Sequence, residues 1–154
     1  MLTRPNSPFQ FYDPHRPIYT HPRFLPGSRL SDCVIRDAVI AEGCHLAQSI
    51  VESSVVGIRT HVRRGAAIRN SVLLGADFYE DDEIAPARGD APKLGIGRDV
   101  ILDRVIVDKN ARIGEGARLV NEAKIQDADG DGYFIRNGVI IVPKDGVIRP
   151  GTKI

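Results

Sequence analysis

Large aliphatic residues recur at every sixth position along most of this chain, and neither an α-helix nor a flat sheet has that period. In VDKNARIGEGARLV, residues 107–120, Val107, Ile113 and Leu119 fall six apart, with Ala111 and Ala117 six apart between them. The same step links Val34, Ile40 and Leu46; after a four-residue step it links Ile50, Val56, Val62, Ile68 and Leu74. Ile96 restarts the pattern; after a five-residue step the period of six runs through Ile101, Val107, Ile113, Leu119 and Ile125, then through Val142, Ile148 and Ile154. Four places after nearly every aliphatic stands a small or β-branched residue, among them Ala38, Cys44, Ile50, Ser54, Thr60, Ala66, Val72, Val105, Ala111 and Ala117. A hexad of one large aliphatic and one small partner is the repeat of a parallel β-helix. Each hexad supplies one short strand and one corner. Three hexads, about 18 residues, close a triangular coil, and coils stack at the strand spacing of about 4.8 Å. A helical reading fails, because helices need apolar residues at three- and four-residue intervals. Glycines such as Gly57, Gly65, Gly114 and Gly116 would each cost a helix about 1 kcal/mol. The expected fold class is therefore all-β, a hexapeptide-repeat parallel β-helix.

The 154 residues suffice for one core of this kind, and a formal net charge of +1 gives no field that would favour nucleic acid or an anionic membrane. No apolar run approaches the roughly 18 residues of a membrane span, and MLTRPNSPFQFYDP has no apolar signal core, so a cytoplasmic location is expected. Cys33 and Cys44 lack a CxxC spacing and read as reduced thiols, Cys44 in the core.

Residues 1–30 carry six prolines and five aromatics, which predicts an extended linker lying along a surface. The β-helix is expected over 31–154. FYEDDEIAPARGDAPKLG, residues 78–95, breaks the period with charge, Pro and Gly and reads as an inserted loop. Its Arg88-Gly89-Asp90 is a short match without extracellular context. A second interruption, QDADGDGY, resembles the first half of a calcium loop. Gly138 stands where the bidentate acid would be needed, so a polar turn is expected. His15, His21, His45 and His61 show no close pair for a metal, and surface positions are expected for them. Lys109, two places after an inward residue, must point outward, and Lys144 holds the same register after Val142. The two lie 35 residues apart, near two coils of 18, so they are expected on one face.

The blocks FYDPHRPIYTHPRFLP, SVVGIRTHV, SVLLGADFYE, VIVDKNARIG and DGYFIRNGVIIVPKDGVIRPGT, in that order, resemble the C-terminal portion of ADP-glucose pyrophosphorylase (glucose-1-phosphate adenylyltransferase). The resemblance covers nearly the whole chain from about Phe9. It implies left-handed coils. It also implies a regulatory and oligomerisation domain of an enzyme that joins ATP and glucose 1-phosphate into ADP-glucose and pyrophosphate for glycogen or starch. The catalytic half, with its glycine-rich phosphate loop and its Mg2+ and ATP, has no counterpart in these residues, so no catalysis and no cofactor are expected here. The start in mid-linker is expected of an excised fragment or of a separate short protein. The resemblance implies contacts from Lys109, Lys144 and Arg23 to a phosphorylated sugar or glycerate effector. His21 stands where the family's linker has glutamine. It further implies a homo-oligomer, tetrameric in the family. The alternative is a stand-alone hexapeptide-repeat acyltransferase.

Overall fold

A computed structural model of the chain describes residues 3, 7–9, 13–80 and 91–154. The middle of the expected loop, with its Arg88–Asp90 motif, and most of the first twelve residues lie outside the described residues. The described regular structure is all strand, arranged in three sheets of six, five and seven strands. Consecutive strands fall on the three faces in rotation. Arg29–Ser31 starts the first face, Val34–Arg36 the second and Val39–Ile40 the third. Each strand pairs in parallel with its counterpart one coil on: Leu30 opposite Leu46, Ile35 opposite Val51, Ile40 opposite Val56. The aliphatic residues of these registers fill the bore, and Val51, Val56, Val62, Ile68, Leu102, Ile113 and Leu119 are wholly buried. Stacking turns every strand's backbone donors and acceptors toward a neighbouring coil, which satisfies them without a helix or a second layer.

The bore is not filled at a uniform step of six. Between the second and third faces the step is five: Ile35 to Ile40, Val51 to Val56, Ile68 to Leu73, Leu102 to Val107. A single residue in the left-handed region turns that corner, Asp37, Ser53, Asn70 and Arg104 having φ of 47, 48, 49 and 58°. Between the third and first faces a two-residue turn makes the step six, as from Val56 to Val62 and from Val107 to Ile113. Coils therefore close in 16 residues (Leu30 to Leu46) or 17 (Ile96 to Ile113), not 18. This corrects four expected bore residues. Val34 and Leu74 are 42% and 44% exposed and Ile50 and Ile101 are half-buried, while their neighbours Ile35, Leu73, Val51 and Leu102 pack inward. Ile125 is exposed as well. The small corner slots shift with them, to Ser49 and Ser71 in place of Ile50 and Val72. Ser54 and Ser71 are buried there because each hydroxyl donates to a carbonyl and accepts the amide of the next coil, Ser71 N at 3.1 Å and Val105 N at 3.1 Å.

Two excursions leave the coil. The first departs after Ala76, whose amide still donates to Ile58 O, and returns at Gly95–Ile96, in register between Val62 and Ile113. Gly95, expected in the loop, is thus already strand. Glu80 ties the two limbs together, accepting from Arg112 through both oxygens (2.7 and 3.1 Å) and from Leu94 N (2.6 Å). The second is not a plain polar turn but an antiparallel hairpin. Ala128–Gly130 pairs with Tyr133–Arg136, which pairs with Val139–Val142. Asp131-Gly132 is its two-residue turn; Gly132 has φ 79°, and a Cβ there would press on the Val147 carbonyl.

Candidate functional site

The hairpin decides where the two expected lysines meet. Val107 pairs directly with Val142, so the 35 residues from Lys109 to Lys144 are one coil plus the hairpin rather than two coils. Both lysines follow a third-face strand and occupy the corner toward the first face, on adjacent coils, with Asp145 N donating to Lys109 O at 2.9 Å. The first excursion leaves the same corner one coil earlier. Its first residue, Asp77, lies between the two ammonium groups. Lys109 Nζ donates to Oδ1 at 2.7 Å, and Lys144 Nζ stands 3.3 Å from Oδ2.

Asn110 holds Asp77 from the other side. Its side-chain Oδ1 accepts the Asp77 amide at 2.8 Å, and its Nδ2 donates to Asp77 Oδ2 at 3.2 Å. Asn110 is itself buried, in the left-handed region at φ 61°, and donates its backbone N–H to Gly75 O. Asparagine suits this place because its short amide tolerates that backbone and still reaches the neighbouring coil. The hydrogen bond from Lys109, helped by those from Asn110 and Lys144, lowers the Asp77 pKa to about 2. The arrangement is a two-cation cradle that holds one carboxylate on an open corner, with Asp77 40% and Lys144 55% exposed. Neither lysine lines the clefts of about 470 and 380 Å³ on the described surface.

Arg23 and His21 are not drawn into this cradle. Both are exposed, and Arg23 Nη1 donates to the His21 carbonyl at 3.4 Å. The segment is anchored at the same corner by Gly43 N donating to Pro26 O, and Gly43 lies three coils before Lys109. That places Gly43 about 14 Å from Lys109 along the axis at the usual strand spacing, with Pro26 one coil farther.

His15, His21 and His45 are exposed and His61 half-buried, as surface positions require, but two of them form a close pair that the spacing did not suggest. His45 and His61 are sixteen apart, one short coil, and so stack in register with ring centroids 5.8 Å apart. They border the 380 Å³ cleft with Arg59, Tyr79 and Glu80. Among the described residues no three His, Cys, Asp or Glu side chains converge as a metal site needs. The DADGDG stretch carries two of its carboxylates to arginines, Asp129 to Arg136 at 2.5 Å and Asp131 to Arg149 at 3.6 Å. Cys44 is wholly buried, and that burial pushes its thiol pKa up, as expected of a core residue.

Asp77 and Asn110 were not among the expected site residues. Asn110 was legible as the neighbour of Lys109 in the DKNARIG block. Asp77 lies outside the repeat, so only its place at the start of the excursion, at the same corner, could have pointed to it. With this geometry in view, one comparison bears on it: residues 23–153 match the family model described as the GLGC left-handed parallel beta-helix domain.

Proposed function

Because the chain belongs to the GLGC left-handed parallel β-helix domain family, the C-terminal domain of ADP-glucose pyrophosphorylase, we propose that it is a regulatory and assembly domain of a glucose-1-phosphate adenylyltransferase. In this reading the corner cradle of Lys109 and Lys144 receives the phosphate of a sugar- or glycerate-phosphate effector. The observation that carries it is the convergence of both ammonium groups, from adjacent coils, on one anionic group. Two lysines spaced to hold the two oxygens of a carboxylate are spaced to hold two oxygens of a phosphate, which is larger and carries more charge. The cradle is open, so a domain tested alone is expected to bind weakly. ATP and its Mg2+ belong to the catalytic half of such an enzyme and enter no step here.

Assembly is supported by the outer surface of the third face. Val39, Val55, Val72, Ile106 and Ile141 are in register across five strands there, exposed or half-exposed, with Phe134 beside Ile141. A continuous aliphatic row on an outer sheet surface favours packing against another subunit.

Calorimetric titration with fructose 1,6-bisphosphate and with 3-phosphoglycerate tests the effector reading. Lys109→Ala is expected to weaken the responding ligand about tenfold, ~1.4 kcal/mol. An unchanged isotherm would count against it.

A further inference from the structure

We propose that Asp77 is a built-in competitor for the anion of the Lys109–Lys144 cradle, so that a ligand binds there by displacing this carboxylate. The inference rests on the reading of that cradle as a phosphate site, and it adds the regulation of that site. Asp77 presents one oxygen to each lysine, at 2.7 and 3.3 Å, and so takes the place a bound anion would take.

Its attachment suits displacement. Among the described residues Ala76 N, through Ile58 O, is the last backbone donor of this limb to a backbone carbonyl of the coil; beyond Asp77 the limb is tied by side chains, Tyr79 donating its hydroxyl to Gly43 O and Glu80 accepting from Arg112. The Asp77 backbone is then held by the Asn110 side chain, a bond that survives if the carboxylate swings away. The carboxylate is 40% exposed, so water can solvate it once it leaves. Protonation does not open the cradle near neutrality, because the Asp77 pKa lies at about 2. Opening therefore depends on a stronger anion. A monocarboxylate offers the lysines no more charge than Asp77 does, and intramolecular attachment gives Asp77 the advantage. A phosphate dianion offers more, so the competitor selects for phosphorylated ligands against plain carboxylates.

The test is a backbone-amide NMR titration of the full 154-residue chain with inorganic phosphate at constant ionic strength, followed at Lys109, Asn110 and Lys144. It is run on the wild type, on Asp77→Asn, and on the Lys109→Ala/Lys144→Ala double variant. Asp77→Asn keeps the size and polarity that Asn110 sees; Asp77→Ala repeats the measurement without any side-chain acceptor. Both are expected to bind phosphate about fivefold more tightly than wild type, as removal of two half-exposed ion pairs allows. Acetate is expected to shift these amides only in the Asp77 variants. The double-lysine variant is expected to lose the response. Equal or weaker phosphate binding in both Asp77 variants, with the response still lost in the lysine variant, would overturn the competitor and leave the cradle standing. A response that survives loss of both lysines, or no response in any form, would overturn the two together.

Discussion

Ile50 and Val51 are neighbours with opposite surroundings, and the corner geometry alone decides which of them is core. Val51 is wholly buried between Ile35 and Ile68, whereas Ile50 is half-buried on the outer surface. Val51→Ala is expected to lower the unfolding free energy by ~2 kcal/mol through lost burial and a residual cavity, and Ile50→Ala by less than ~1 kcal/mol. Urea denaturation measures both, and the reverse order would restore the uniform six-residue step. Asp77 makes a second prediction at this scale, and its sign follows from the direction of its shift. Its folded-state pKa, about 2, is below the ordinary aspartate value of ~3.9. Its contribution to stability is thus fully present above pH ~4, and it is lost as pH falls from there through about 2. Carboxyl-carbon NMR of Asp77 should accordingly show a midpoint near 2 in the wild type. In Lys109→Ala the midpoint should move up toward the ordinary value, since the bond from Lys109 is the largest cause of the shift. An unmoved midpoint would mean that Lys144 and Asn110 hold the carboxylate without Lys109.

At the scale of elements, the repeat was legible and its corners were not. Bore aliphatics such as Val56, Val62, Ile68, Val107, Ile113 and Leu119 stand out because their outward neighbours are mostly polar or small. The spacing fails at some places where two aliphatics are adjacent, though not at Val55-Val56 or Ile106-Val107. At Val34-Ile35, Ile50-Val51, Leu73-Leu74 and Ile101-Leu102, the even step selects the wrong member of the pair. The correct choice depends on whether one residue or two turn the corner. Asp37 and Asn70 signal a left-handed corner, but Ser53 and Arg104 adopt the same backbone without advertising it. The hairpin turn Asp131-Gly132 was legible as a DG pair between strands; reading its carboxylates as a calcium loop obscured it. The lysine cradle was visible through register alone, whereas its anion, supplied by a non-repeating excursion, was not. That excursion yields its own prediction. Arg112 and Glu80, with side chains only 14% and 13% exposed, join its two limbs to the first face. The Arg112 guanidinium lowers the Glu80 pKa, so the pair is fully charged at neutral pH. Arg112→Ala leaves that carboxylate largely buried without its main partner, and is expected to cost ~2 kcal/mol. It should also speed amide exchange at Leu94, whose N–H donates to Glu80. Unchanged protection at Leu94 would show that the limb is held by other contacts.

The whole molecule is a stack in which each coil touches only the coil before and the coil after, so its stability should vary along the axis rather than be shared evenly. The first coil has one neighbour. Leu30, a bore residue, is 48% exposed there, and Ile35 and Ile40 are only partly covered. The central coils have two neighbours, and Val62, Ile68, Ile96, Leu102 and Ile113 are at most 1% exposed. The far end is better protected than the near one. Arg118 bridges to Lys153, Val120 N donates to Ile154 O, and Ile135 and Ile140 of the hairpin sheet are buried. Opening from the first coil therefore exposes the least apolar surface not already exposed. Native-state hydrogen exchange is expected to be fastest in the strands of 29–40 and slowest in those of 96–113, with opening energies at least ~2 kcal/mol apart. Substitutions should separate the same way. Leu102→Ala, in a central coil with a neighbour on each side at Ile68 and Leu119, is expected to cost ~3 kcal/mol and to lower protection throughout. Ile35→Ala should cost about 1 kcal/mol and speed exchange mainly in the first coil, because losing that coil leaves the remaining stack intact. Equal protection from end to end, or a global loss of protection in Ile35→Ala, would instead make the helix one indivisible cooperative unit.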